Sequence, residues 1–215
     1  MKTEEIVQLK KWTGDFGRNY TNRNIYSPAQ LDKAYMQTYG VSHSQMIKDS
    51  LSPIKKDISR ILEVGCNAGN ELNILQKLGF KELYGIEIQR YAIEKAKEIT
   101  RNIDIIKGSA FDIPFKDGYF DLVFTAGVLI HIPPIYIYKA MDEIYRCSKK
   151  YIWGFEYFSE DYKEIKYRGN RKLLWKADFA RLYLKRFNNL KMVKEDKYKY
   201  LKNNNIDTIF LLKKK

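Results

Sequence analysis

The chain has 215 residues, 45% hydrophobic and 30% charged, with 17 Tyr, 11 Phe and a formal charge of +13. This composition excludes a disordered chain and allows one sizeable core. Cys66 and Cys147 alone exclude a disulfide framework or a cysteine metal cluster and fit a reducing cytoplasm. Glu4 and Glu5 near the start, and the lack of a run of about 18 apolar residues, predict neither a signal peptide nor a membrane span.

In chain order, residues 1–55 form a lead-in. Helical apolar spacing over Leu31–Tyr39 and His43–Leu51, with Ser27-Pro28 and Ser42 as starts, predicts two helices, closed by Pro53. Residues 56–157 then alternate short apolar runs with helical segments. The predicted strands are Arg60–Val64, Glu82–Ile88, Ile103–Lys107, Phe120–Thr125 and Tyr151–Phe155; the helices are Asn70–Leu78, Ala92–Thr100 and Ile135–Cys147. Such runs belong to a parallel sheet covered on both faces, so the fold class is doubly wound α/β in one domain. Residues 158–215 add a helix near Asp178–Phe187 and two β-like runs, Met192–Leu201 and Ile206–Leu212, joined as a hairpin through Lys202–Asn205. From residue 151 onward, 17 basic side chains face 8 acidic ones. That surplus admits an anionic partner, or is a solvated lysine-rich surface.

The chemistry concentrates where the first core strand ends. Ile61 to Asn70 runs from a strand through a tight glycine turn into a helix, and Gly65 and Gly69 let the backbone turn sharply beside a ligand. About twenty residues on, Glu87 closes the next strand, followed by Ile88; a carboxylate there can accept the ribose hydroxyls of an adenosine ligand. Glu63 beside the turn would repel a pyrophosphate but can hold an ammonium group. Asn67 occupies the middle glycine position of dinucleotide sites and tolerates left-handed geometry. The cofactor expected is S-adenosylmethionine, and no metal-ligand cluster is visible.

Over residues 60–157 these motifs, in this order, resemble class I S-adenosylmethionine-dependent methyltransferases. The resemblance implies a Rossmann-like fold with a mostly parallel central sheet ending in an antiparallel hairpin, here with a helical N-terminal extension. It also implies that Ser109, Ala110 and Phe111 contact adenine, and that the segment from Thr125 to Ile132 lies beneath the methionine part. The family often has an acid where Ser109 stands. The flanks resemble a narrower group, the methylases associated with pseudaminic acid biosynthesis. That match rests on Trp12 to Gly17 with Tyr20, Thr21, Arg23 and Asn24; on the Gly-Cys-Asn-x-Gly-Asn turn; on Gly127 to Ile132; on Glu156-Tyr157-Phe158; on Tyr167-Arg168-Gly169; and on Trp175 to Ala180. It departs at Ala177, where the group tends to have Arg. It implies a small anionic sugar as substrate, a nonulosonic acid or a nucleotide-activated precursor.

An activated methyl donor needs alignment above all, with a base if the acceptor is a hydroxyl or protonated amine. His131 is the first candidate base, its alternative being a capping or packed histidine; Glu156, at a strand end, is the second, its alternative a structural carboxylate paired with Arg168. Tyr157, Tyr167 and Arg168 are the candidate substrate contacts, Arg168 through its planar fork of donors, unless it is a surface arginine. The segment Gly14–Asn24 is a candidate lid, with Tyr20 shielding the sulfonium and Arg23 binding the methionine carboxylate, or else an arm packed on the core. The rival functions are an RNA methyltransferase using the basic tail and a catalytically silent cofactor-binding partner in a glycosylation complex.

Overall fold

The computed structural model describes residues 7–215; the acidic start, Glu4 and Glu5, lies outside them. Five strands form the parallel core: β1 (Arg60–Val64), β2 (Glu82–Glu87), β3 (Asp104–Lys107), β4 (Phe120–Ala126) and β5 (Ser148–Tyr157). With β8 (Leu190–Lys199) and β9 (Ile206–Lys214) they make a seven-stranded sheet in the order β3-β2-β1-β4-β5-β9-β8, in which β9 runs antiparallel to both neighbours. The order reverses between β1 and β4, where open α/β sheets place their ligands. A two-stranded hairpin, β6 (Lys163–Glu164) with β7 (Trp175–Lys176), stands apart from that sheet.

Both faces of the sheet are buried, and successive strand residues serve opposite layers. Leu62, Val123, Ile152, Phe210 and Leu212 pack on one side with α7 (Ile137–Cys147) and α8 (Phe179–Arg186). Ile61, Leu122, Trp153, Ile209 and Leu211 pack on the other with α3 (Pro28–Tyr39), α4 (His43–Leu51) and α5 (Asn70–Lys77). This alternation explains why the strands read as unbroken apolar runs. α6 (Arg90–Ile99) joins β2 to β3, contacting both. The predicted starts of α3 and α4 are real caps: Ser27 forms a reciprocal capping box with Gln30, and the Ser42 side chain accepts from the Gln45 amide.

The N-terminal extension is helical and the tail joins the sheet, as expected. The extension holds α1 (Val7–Thr13) and α2 (Asp15–Arg23), the second spanning most of the candidate lid Gly14–Asn24, with Gly17 at the corner where a Cβ would sit 1.8 Å from the Trp12 carbonyl oxygen. The basic tail supplies the outermost strand: Lys191, Lys194, Lys197 and Lys199 all lie on β8, whose one sheet neighbour is β9. Lysines on such an edge deter pairing with another chain. Among the described residues no helix is long and apolar enough to cross a membrane.

Candidate active site

β1 runs into a turn in which Gly65, Asn67 and Gly69 all have positive φ, +78°, +48° and +80°. At Gly65 space forbids a side chain as well, because a Cβ would lie 2.7 Å from Val128 Cγ2. Asn67 is held by its side chain, Oδ1 accepting from the Thr21 hydroxyl at 2.8 Å. At the end of β2, the Glu87 carboxylate accepts from the backbone N–H of Asn67 at 2.9 Å and of Gln89 at 2.8 Å. Burial pushes its pKa up against these two bonds. Glu87 thus ties the turn after β1 to the turn after β2 and keeps further lone pairs for a ligand.

Around this junction lies a cavity of about 490 Å³. Of the predicted cofactor residues, Tyr20, Glu63, Gly65, Asn67, Glu87, Ile88, Ser109, Ala110 and Phe111 line it; of the others, His131, Tyr157 and Tyr167 do. Glu63 is buried with Oε2 lacking any partner, and burial holds its carboxyl well above the ordinary range. A group buried in this way can meet a donor or cation supplied by a ligand in the cavity.

Five predicted site residues lie elsewhere, each for a local reason. Gly69 is the N-cap of α5, where a Cβ would crowd Thr100 at 2.9 Å. Thr125 is buried and bonds the Glu156 side chain. Glu156, 2% exposed, accepts from the amides of Val128, Leu129 and Ile130 at 3.1, 3.1 and 3.3 Å, capping the 3-10 turn Leu129–His131. It does not pair with Arg168, and its pKa is pushed up to about 7 by burial despite those bonds. Arg168 is exposed, its φ of +47° and that of Gly169 at +79° forming a tight turn bracketed by Tyr167 and Asn170, the geometry of a type I′ hairpin. Arg23 is exposed because α2 turns Gly17, Tyr20 and Thr21 inward at helical spacing and leaves Arg23 on its flank.

His131 is brought to the cavity wall in a defined state. Its Nδ1 lies 2.7 Å from the Leu173 carbonyl oxygen; since a carbonyl only accepts, Nδ1 carries the hydrogen and Nε2 the lone pair. Burial lowers its pKa to about 4, so the ring is neutral near pH 7. The Trp12 ring packs on it at 4.6 Å and Tyr167 at 5.4 Å. Trp12, with Gln8 and Leu9 from α1, lines the cavity, and α1 reaches across to the β6–β7 hairpin through Gln8 to the Lys172 carbonyl and Lys11 to Asn170. Gln89 fixes the same corner by donating to the Trp12 and Gly14 carbonyls at 3.1 and 3.0 Å.

A second lobe of the cavity escaped the sequence motifs. It is walled by Tyr35 and Tyr39 of α3, Phe155 and Tyr157 of β5, Tyr200, and Asp207 of β9. The one available signal was Asp207 itself, an acid inside an apolar strand run, which buried sheets admit only for a reason.

With the glycine turn and Glu87 at the point where the strand order reverses, this sheet is that of a class I S-adenosylmethionine-dependent methyltransferase domain. Comparison with known proteins agrees. Residues 62–151 match the family described as the methyltransferase domain. Cycloartenol-C-24-methyltransferase 1 of Oryza sativa subsp. japonica is 32% identical over 97 residues, 42% of this chain and 27% of that protein. An uncharacterized methyltransferase of Staphylococcus carnosus is 27% identical over 175 residues, 78% of this chain and 77% of that one. The chain therefore spans about a quarter of the plant relative's length. Among solved structures, magnesium protoporphyrin IX methyltransferase from Synechocystis PCC 6803 with bound SAM superposes with a TM-score of 0.67 at 13% identity, covering 99% of both chains.

Proposed function

We propose that the chain transfers the methyl group of S-adenosylmethionine to a small molecule held in the tyrosine-walled lobe. The carrying observation is one cavity whose lining includes the glycine turn, Glu87, that lobe and a neutral histidine. When bound, the cofactor supplies an electrophilic methyl group on a sulfonium. Glu87 is suited to accept from the ribose hydroxyls with the lone pairs its backbone bonds leave free, and Glu63 to receive the methionine ammonium that would satisfy its orphaned oxygen. Gly65 gives the ligand backbone-close access, and Ser109 to Phe111 form the adenine side. Trp12 and Tyr20 act as an aromatic cover that excludes water, a lid made of helices. His131 Nε2 is the group available to take a proton from the acceptor, while Glu156 positions the segment that carries His131.

The sugar acceptor implied by the flanking motifs is supported by the tyrosine hydroxyls, which suit a polyhydroxylated molecule. Its negative charge is not supported: Glu63, Glu71, Glu87 and Asp207 line the cavity, and no Lys or Arg does among the described residues. The cavity therefore suits an acceptor of sugar-like size that carries no negative charge. An RNA substrate would use basic residues that lie outside this cavity, and its binding would weaken steeply with salt. The deciding experiment is mass spectrometry for a gain of about 14 Da across nonulosonic acids, their nucleotide-activated forms, neutral and amino sugars, and RNA. Methylation of RNA alone would overturn the small-molecule reading. Failure of the full chain to bind S-adenosylmethionine in calorimetry would leave a silent partner protein.

A further inference from the structure

We propose that the second lobe recognises an ammonium group, so that the acceptor is an amine-bearing small molecule with Asp207 as its counter-charge. This rests on the methyltransferase reading of the same cavity and names its substrate class. Asp207 is 2% exposed; its Oδ2 accepts from Tyr39 at 2.5 Å and Tyr200 at 3.1 Å, while its Oδ1 has no partner. Tyr157 in turn bonds Tyr200. The hydrogens of Tyr39 and Tyr200 are spent on the carboxylate, so both present acceptor oxygens and ring faces rather than donors. An anion, which only accepts, finds no free hydroxyl hydrogen on Tyr39 or Tyr200. An ammonium, with three donors and no acceptor, matches their oxygens.

The rings add to the selection. Tyr39 and Tyr200 meet edge to face at 4.9 Å, and Tyr35 packs on Tyr39 at 5.2 Å and on Phe155 at 5.7 Å. A cation enclosed by several electron-rich faces is held more firmly than a neutral group of its size. The other acids of the lining are committed elsewhere: Glu71 contacts His43 Nε2 at 2.6 Å, Glu87 binds two amides, and Glu63 lies beside the glycine turn. Lys176 is close enough to act on Asp207, but its ammonium donates to Asn205 and no ion pair with Asp207 forms among the described residues. The lobe thus retains a carboxylate without a matched cation.

The test uses the full chain loaded with S-adenosylhomocysteine and three probes that share a sugar ring and differ in charge: glucosamine, N-acetylglucosamine and glucuronate. Titration calorimetry and ligand-observed NMR are expected to show glucosamine binding at least about tenfold more tightly than the other two. Asp207→Asn, which keeps the shape and the tyrosine bonds, is expected to abolish that preference without changing the affinity for S-adenosylhomocysteine. Equal or tighter binding of glucuronate, a glucosamine preference that survives in Asp207→Asn, or no probe binding at all would overturn the proposal. Loss of S-adenosylhomocysteine binding by the native chain would instead remove the methyltransferase reading beneath it. If Asp207→Asn does not fold, Tyr35→Leu removes a ring face and leaves the carboxylate; a glucosamine affinity unchanged in that variant would overturn the proposal that the tyrosine rings and Asp207 together hold the ammonium.

Discussion

The two ends of the cavity are built from different kinds of chain. At the cofactor end, the turn after β1 and the carboxylate after β2 lie about twenty residues apart and meet through backbone bonds to Glu87. At the acceptor end, Tyr39 of α3 and Asp207 of β9 are separated by 168 positions and meet only because β9 inserts beside β5. The first end is local and constrained by backbone conformation; the second is an assembly of side chains from the two extremities of the fold. A site of the first kind varies little without loss of the cofactor, whereas one of the second kind can be re-cut for a new acceptor by changing side chains.

The sharpest way to break this contrast is Glu87→Ala. It removes the acceptor of two backbone bonds and the proposed ribose contact, each worth roughly 1.5–3 kcal/mol for a charged partner. Affinity for S-adenosylhomocysteine should fall on the order of 100-fold or more by calorimetry. A loss no larger than that in Asp207→Asn would mean the two ends are not separable.

His131→Gln probes the cavity wall beside Trp12 and Tyr167. If Nε2 takes the acceptor's proton, turnover should drop about 100-fold with cofactor affinity unchanged. Loss of affinity with unchanged turnover would make the ring packing for Trp12 alone. The same variant has a stability signature whose sign is fixed. The folded-state pKa is lowered to about 4 from 6.5, so between those values the unfolded chain binds a proton that the folded chain does not. His131 therefore erodes stability as pH falls from about 6.5 to 4, by up to roughly 3 kcal/mol. Glu156 and Asp207, raised to about 7 and about 6, act in the opposite direction, favouring the fold as they take up protons on acidification. Thermal unfolding across that range should show a smaller acid-side loss in His131→Gln than in the native protein.

Gly65→Ala tests whether the cofactor end is set by backbone geometry. It combines a left-handed φ of +78° with a Cβ 2.7 Å from Val128; the expected cost is about 2 kcal/mol, a drop in melting temperature of several degrees. An unchanged melting temperature would show that Val128 yields freely and that the turn is not tightly specified.

The same division explains what the sequence revealed. β1, α4 and the glycine turn were readable because short-range period, caps and glycine placement decide them. Glu87 was readable because its distance from the turn is set by one helix and one strand. Glu156 misled because a carboxylate at a strand end serves equally as a base or as a cap for three amides, and only the position of the Leu129–His131 turn distinguishes them. Arg168 misled for a similar reason: an Arg-Gly pair can open a loop to a ligand or form the corner of a hairpin, and the bridge from Tyr167 to Asn170 decides. The Asp207 lobe was hidden because nothing local links α3 to β9. The basic tail pointed toward anions, whereas four of its lysines lie on the edge strand and none of its basic residues lines the cavity.

The smallest predicted effect concerns how the helical cover is attached. Thr21, 1% exposed, directs its hydroxyl toward Asn67 Oδ1 at 2.8 Å, a direct side-chain bond between α2 and the glycine turn. Its other acceptor, the Gly17 carbonyl at 3.1 Å, lies within α2 itself, and one hydroxyl hydrogen serves only one of them at a time. Thr21→Ala should therefore cost about 1 kcal/mol, concentrated in the attachment of α2 rather than in the sheet. In hydrogen exchange the amides of α2 should open about fivefold more often while those of β1 and β4 are unchanged, and S-adenosylhomocysteine should restore much of the protection. Uniform acceleration across the sheet would instead make α2 part of the core, with the cleft opening by some other route.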